Sequence, residues 1–75
     1  MFGFAKKKHE ELEELLRKVE LEAANNYKDA AQEAFAKYET RYRELEDAKA
    51  LNAKQSQRYS DALTRLRGQM KDFHH

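Results

Sequence analysis

Apolar side chains recur every three or four residues over most of this 75-residue chain, and no proline interrupts them. Residues with that spacing lie on one side of an α-helix. The stretch from 27 to 45 also lacks Gly, Ser and Asn, which makes it the strongest helical segment. The apolar row consists of Leu12, Leu16, Val19, Ala23, Tyr27, Ala30, Ala34, Tyr38, Tyr42 and Leu45.

Composition supports an all-α protein with a small core. Ala, Glu, Lys, Leu and Arg account for 44 of the 75 residues, a proportion typical of long helices and coiled coils. Leu, Ile, Val and Phe account for only 13, and there is no cysteine to form a disulfide. Because a chain this short has a marginal core, we expect it to self-associate as a dimer or higher oligomer.

The apolar row is the predicted self-association interface. Most of it repeats every eleven residues, a period close to that of a straight helix. Its alanines allow a partner helix to approach closely, and the rings of Tyr38 and Tyr42 add buried area. The alternative interpretation is that the row forms an ordinary core within one chain.

Charge is unevenly distributed along the sequence. Residues 10–47 hold twelve acidic and six basic side chains, whereas residues 48–75 hold six basic and two acidic ones. Segments of opposite charge attract when they lie side by side, within one chain or between two. This attraction governs orientation more than stability, and it favours an antiparallel arrangement.

Two polar stretches, Asn25–Asn26 and 52–60, are candidate helix breaks. The apolar row keeps its phase through the first, so we expect one helix over about 5–51, a joint at about 52–56 and a second helix over about 56–73. The second helix has a heptad pattern that predicts intrachain packing. Its members are Tyr59, Leu63, Leu66, Met70 and Phe73.

The predicted architecture is therefore an antiparallel helical hairpin with a long first helix, coiled-coil-like and oligomeric. It comprises an N-terminal tip, 1–8, and a single helical unit, 9–75. One alternative is a single long helix in a coiled coil. The other is a three-helix bundle with breaks at Asn25–Asn26 and near Asn52.

The N-terminal tip places two aromatic rings before three lysines. Phe2 and Phe4 could enter a lipid headgroup region while Lys6, Lys7 and Lys8 face anionic lipid. The alternative function is thus a peripheral membrane-surface protein. The two histidines at 74 and 75 do not by themselves predict a metal site.

The preferred function is a non-enzymatic helical module for protein–protein interaction or scaffolding. The sequence contains no cysteine nucleophile and no glycine-rich phosphate loop, so we expect no catalytic, cofactor or metal site. The expected partner is a second copy, antiparallel, or another helical protein. Nucleic acid is not an expected partner, because Arg41 and Arg43 lie in a net acidic region that would repel a polyanion. No apolar run reaches the ~20 residues of a membrane span, and we expect a cytoplasmic protein.

Overall fold

The computed structural model describes residues 8–71, and for Lys8 it describes the backbone alone. Within that range the chain forms three helices, namely α1 (Lys8–Ala24), α2 (Lys28–Asp47) and α3 (Ala53–Lys71). The remainder of the described range is turn, and it contains no strand. The all-α prediction is therefore confirmed for this part of the chain.

The single helix predicted over about 5–51 is wrong, because the chain reverses at Asn25–Asn26. Asn26 adopts a φ of 64°, in the left-handed region that asparagine tolerates better than most residues. The amides of Asn26 and Tyr27 donate to the carbonyls of Ala23 and Glu22, at 3.0 and 2.9 Å. This pair of bonds is a Schellman motif, which ends α1. The apolar row stays in phase across the turn, so its phase did not reveal the break.

A second Schellman motif ends α2. The amides of Lys49 and Ala50 donate to the carbonyls of Glu46 and Leu45, at 3.0 and 2.9 Å, and Lys49 has a φ of 55°. A left-handed conformation costs a residue with a side chain roughly 1–2 kcal/mol. Lysine offers no local compensation for that cost, so this turn is the more strained of the two.

A reciprocal capping box starts α3. The amide of Gln55 donates to the Asn52 side-chain oxygen at 2.8 Å, and the Asn52 amide donates to the Gln55 side-chain oxygen at 3.0 Å. Such a pair satisfies two amides that have no partner within the helix. The cap places the start of α3 at Ala53, about three residues before the predicted position. Near the other end, Gly68 is exposed, and an added Cβ would meet no atom within 4 Å.

Contacts between the helices establish their directions. Arg41 on α2 meets Glu11 on α1, as expected if α2 runs back along α1 from the turn at 25–27. On α3, Arg58 meets Glu13 and Arg65 meets Glu20, so α3 runs parallel to α1. The chain therefore runs up, down and up. This is the three-helix alternative and not the predicted hairpin.

One core lies where the three helices meet, and each helix contributes to it. Its members share a position on the inner face of a helix and are less than a tenth exposed. They are Leu12, Leu16, Val19, Ala31, Ala34, Tyr38, Leu45, Tyr59, Ala62, Leu63, Leu66 and Met70. The Tyr38 hydroxyl, fully buried, donates to the Tyr59 backbone carbonyl at 2.6 Å.

Removing the Tyr38 hydroxyl tests this hydrogen bond. We expect Tyr38→Phe to lower the free energy of unfolding by about 1 kcal/mol, because the ring still fills its site while the bond between α2 and α3 is lost. Tyr42→Phe is the matched control, since the Tyr42 hydroxyl donates to Glu46 at the half-buried edge of the core. Urea unfolding measures both changes, and an equal loss in the two variants would contradict the role given to Tyr38.

Candidate interaction surface

Most of the predicted self-association row packs inside a single chain. Six of its ten members are buried there, namely Leu12, Leu16, Val19, Ala34, Tyr38 and Leu45. Ala23, Ala30 and Tyr42 are half-buried, and Tyr27 is 61% exposed. The break at Asn25–Asn26 is the reason, because it turns the two halves of the row to face each other. In this fold the row serves the chain's own core rather than a second copy.

The heptad residues of the second predicted helix also lie in the core. Tyr59, Leu63, Leu66 and Met70 are buried against α1 and α2. Phe73 lies outside the described residues. So does most of the predicted membrane-contact tip, Phe2, Phe4, Lys6 and Lys7, while the Lys8 side chain is not described.

An open groove of about 510 Å³ runs between α1 and α2, and α3 contributes none of its lining. We call it the α1–α2 groove. Leu15, Ala36 and the aliphatic parts of its longer side chains make its surface largely apolar. The residues that line it are Glu11, Leu15, Glu33, Ala36, Lys37, Thr40, Arg41 and Glu44.

Arg41 fixes one wall of the groove. Its Nε and Nη2 donate to the two carboxylate oxygens of Glu11, at 3.1 and 3.0 Å, and its Nη1 donates to Glu44 at 3.1 Å. A two-point contact of this kind restricts both side chains. The hydrogen bonds to Glu11 and then Glu44 raise the pKa of Arg41 above its ordinary value. The wall is consequently charged and ordered, beside an apolar floor.

Glu13 organises the opposite side of the molecule, where α1 meets α3. Both of its oxygens accept from Arg58, at 2.7 and 2.9 Å, and one also accepts from the Tyr59 hydroxyl at 2.8 Å. The Arg58 guanidinium lies 5.6 Å from the centre of the Tyr59 ring. We call these three side chains the Glu13 cluster.

The Glu13 cluster shifts the pKa values of its members. The Arg58 hydrogen bond holds the pKa of Glu13 below its ordinary value, against the opposing effect of burial. Burial, followed by the bond to Glu13, raises the pKa of Tyr59. The charged carboxylate is therefore the stable form in the folded protein.

Further arginines on α3 bind acidic residues of both other helices. Arg65 meets Glu20 of α1 at 3.2 Å, and Arg67 meets Glu39 of α2 at 2.5 Å. Between α1 and α3 lies a charged cleft of about 160 Å³, lined chiefly by arginine and glutamate, including the Arg58–Glu13 and Arg65–Glu20 pairs. The basic α3 is thus attracted to the acidic α1–α2 pair of the same chain.

Two large apolar side chains within 8–71 remain exposed, both near the first turn. Leu21 is 58% exposed on the outer side of α1, and Tyr27 is 61% exposed at the start of α2. Single exposed apolar residues are common at protein surfaces. Neither of them lines the groove.

The two small groove residues, Ala36 and Thr40, are not among the residues predicted from the sequence. Both lie on the outer side of α2, away from the apolar row. The available signal was the four-residue spacing of two small residues within a run of long charged ones.

No three His, Asp or Glu side chains of residues 8–71 converge where they could hold a metal ion. None of the helices in this range has the length and apolarity needed to cross a membrane.

Comparisons with protein-family models, with curated proteins and with solved structures find no match to this chain.

The Glu13 cluster should make stability depend on acidity. Because the pKa of Glu13 is depressed in the folded state, the unfolded chain binds the proton first as the pH falls. The stabilisation is present above the ordinary value of 4.5 and is lost as the pH falls through the depressed one. We expect Glu13→Gln to cost about 1 kcal/mol at pH 7, and less at pH 3.

Urea unfolding of the wild type and Glu13→Gln between pH 7 and 3 measures this difference. Arg58→Ala provides the control, since without the guanidinium the pH-dependent part of the Glu13→Gln effect should shrink. A difference between wild type and Glu13→Gln that stays constant from pH 7 to 3 would contradict the assignment.

Proposed function

We propose that the protein is a non-enzymatic helical interaction module and that its partner is a second copy of itself. The α1–α2 groove is the observation that carries this proposal. It is apolar along its floor, it lies on the face that α3 leaves uncovered, and an α-helix is the kind of element that such grooves accept. The second copy would place its own α2 in the groove.

The spacing of residues on the outer side of α2 favours a second copy as the occupant. Glu33, Ala36, Thr40 and Arg43 follow one another at three or four residues and so share one face. When two α2 helices cross antiparallel about a two-fold axis, Ala36 faces Thr40 of the second copy. In the same register Glu33 faces Arg43 of the second copy. Small residues then meet at the centre and opposite charges at the flanks.

The corresponding pairing through α1 is electrostatically unfavourable. Antiparallel α1 helices that set Leu15 against Leu21 of the second copy would also set Lys18 against Lys18. They would further set Glu14 against Glu22. Like charges placed opposite each other repel and so disfavour this register. The α2 register also sets Asp29 against Asp47, but only at its ends, whereas its central pairs are small or of opposite charge. The α2 pairing is therefore the more favourable of the two.

Association through this surface should be weak and dependent on concentration. The groove is shallow, and apart from Leu15 the residues facing it are small or charged, with none aromatic. Interfaces that lack large buried anchors belong to the small, transient class. We expect monomer and dimer to exchange in solution.

Placing a large charged side chain in the centre of the groove tests the proposal. We expect Ala36→Arg to weaken dimerisation at least tenfold, because two guanidinium groups would enter the α2–α2 contact. Ala24→Arg is the matched control, since Ala24 is also exposed on a helix but does not line the groove. Sedimentation equilibrium between 10 μM and 1 mM measures the association of each variant.

A charge exchange tests the register itself. We expect Glu33→Arg and Arg43→Glu to weaken dimerisation when made singly, and the double variant to recover most of the loss. Wild-type protein that stays monomeric over the whole concentration range would overturn the proposal. Recovery in the double variant requires residues 33 and 43 of different copies to meet, so its absence would overturn the register.

The membrane-surface function stays a prediction for the tip at Phe2 and Phe4. Those residues lie outside the described part of the chain, so no contact in the structure bears on it. Binding to anionic vesicles before and after deletion of residues 1–8 tests it.

A further inference from the structure

We infer that α3 can dissociate from the α1–α2 pair of its own chain and pack instead on the α1–α2 pair of a second copy. In the resulting exchanged dimer, α2 and α3 of each chain join into one continuous helix. The exchange depends on the turn at 48–52 and leaves the α1–α2 groove open. It is therefore independent of the proposed function. Three observations support it.

The first observation is that four of the five turn residues are strong helix formers, Asn52 being the exception. The sequence of the turn is Ala48, Lys49, Ala50, Leu51 and Asn52, with no glycine or proline. Lys49 nevertheless adopts a φ of 55° there. In a continuous helix Lys49 would return to the right-handed region, and the turn would exchange its two closing bonds and the Asn52–Gln55 cap for helical hydrogen bonds. Residue preference thus opposes the closed turn at Lys49 and favours it at Asn52.

The second observation is that the buried faces of α2 and α3 share one seven-residue phase across the turn. Ala31, Tyr38, Leu45, Tyr59 and Leu66 are each 0–2% exposed, and all are separated by seven or fourteen residues. A turn between two helices does not require the buried residues on its two sides to share one phase. A continuous helix does require it, because only a shared phase puts all five side chains on the same face of that helix.

Position 52 completes the seven-residue series, and Asn52 occupies it. In the monomer Asn52 caps α3. In the exchanged dimer it would lie near the two-fold axis, where the two joined helices cross. A polar residue at one such position is known to set register and oligomeric state in coiled coils.

The third observation is that contacts of α3 with the other helices transfer without change. Tyr38 would donate to Tyr59 of the second copy, and Glu20 and Glu39 would bind Arg65 and Arg67 of the second copy. Each copy regains in the dimer the α3 contacts that it loses when the monomer opens. The equilibrium between monomer and exchanged dimer therefore depends mainly on the free energy of the turn and on protein concentration. A short turn gives α3 an effective concentration on the order of millimolar within its own chain.

The exchange changes the dimensions of the protein. The monomer measures 41 Å along its longest axis. A joined helix over 28–71 would be roughly 66 Å long at 1.5 Å per residue. Small-angle scattering therefore distinguishes the exchanged dimer from the compact monomer.

Cross-linking between two single-cysteine variants tests the exchange directly. The chain has no natural cysteine, and Glu20 and Arg65 are adjacent across the α1–α3 contact. Glu20→Cys and Arg65→Cys chains are unfolded in urea, mixed, and refolded at about 1 mM, the range of the effective concentration. A short bis-maleimide is then applied to the dimer fraction. We expect a covalent species containing one chain of each kind, because in that dimer α3 of one copy lies on α1 of the other.

Turn variants shift the equilibrium in opposite directions. Lys49→Gly relieves the strained φ of the monomer, and we expect it to raise the dimer dissociation constant about 25-fold, fivefold for each of two turns. Asn52→Leu removes the cap and adds an apolar residue to the seam, so it should lower that constant. Asn26→Gly is the matched control, since the first turn is retained in both forms.

Each outcome decides the inference. Cross-links between chains together with opposite effects of Lys49→Gly and Asn52→Leu support it. Refolded protein without cross-links between chains overturns it, whether that protein is monomeric or dimeric. A dimer that forms without such cross-links and is lost in Ala36→Arg would leave the groove proposal standing while the exchange fails.

Discussion

The hydrogen bond from the Tyr38 hydroxyl to the Tyr59 carbonyl follows from the shortage of large aliphatic residues in this chain. A sequence with so few large aliphatic residues must fill its centre with other side chains, and tyrosine supplies volume together with a polar atom. The Tyr38 ring is fully buried, so its hydroxyl needs a partner. The Tyr59 carbonyl provides one, and the bond joins α2 to α3 at the middle of the molecule. The same burial raises the pKa of Tyr38 well above its ordinary value, so the hydroxyl remains a donor.

Around this centre, charged pairs determine which helix face meets which. Glu13, Glu20 and Glu39 each accept from an arginine on α3, and these contacts are all at least partly open to solvent. Exposed pairs contribute little stability individually. Their effect is to disfavour other placements of α3, which would set arginine against arginine or leave glutamates facing each other. The apolar core supplies the stability, while the charges supply the orientation.

Helical content, the existence of the second break and four core residues of α3 were accessible from the sequence, because each depends on local pattern. The Asn52–Gln55 cap is an example, since two residues three apart define it. The position of the break was not accessible, since the joint predicted at about 52–56 lies mostly within α3 and the turn is at 48–52. The turn at Asn26 was not accessible in the same way. It depends on a left-handed φ at a single residue, and the uninterrupted apolar row pointed to a continuous helix.

The groove was harder still to predict, because Ala36 becomes a surface feature only when α1 lies beside α2. Predicting the groove required the turn at Asn25–Asn26, which the uninterrupted apolar row gave no sign of. The two turns also differ in kind. Asparagine suits the first conformation, whereas lysine suits the second poorly, and that difference emerges only from the backbone angles.

Gly68 gives the two ends of α3 different resistance to fraying. The beginning of the helix is closed by a side-chain cap, whereas the end carries an exposed glycine that lowers helix propensity and has open space around it. Local opening of α3 should therefore start at its carboxyl end. Amide protons of residues 69–71 would therefore exchange with solvent sooner than those near Tyr59, which lies in the core.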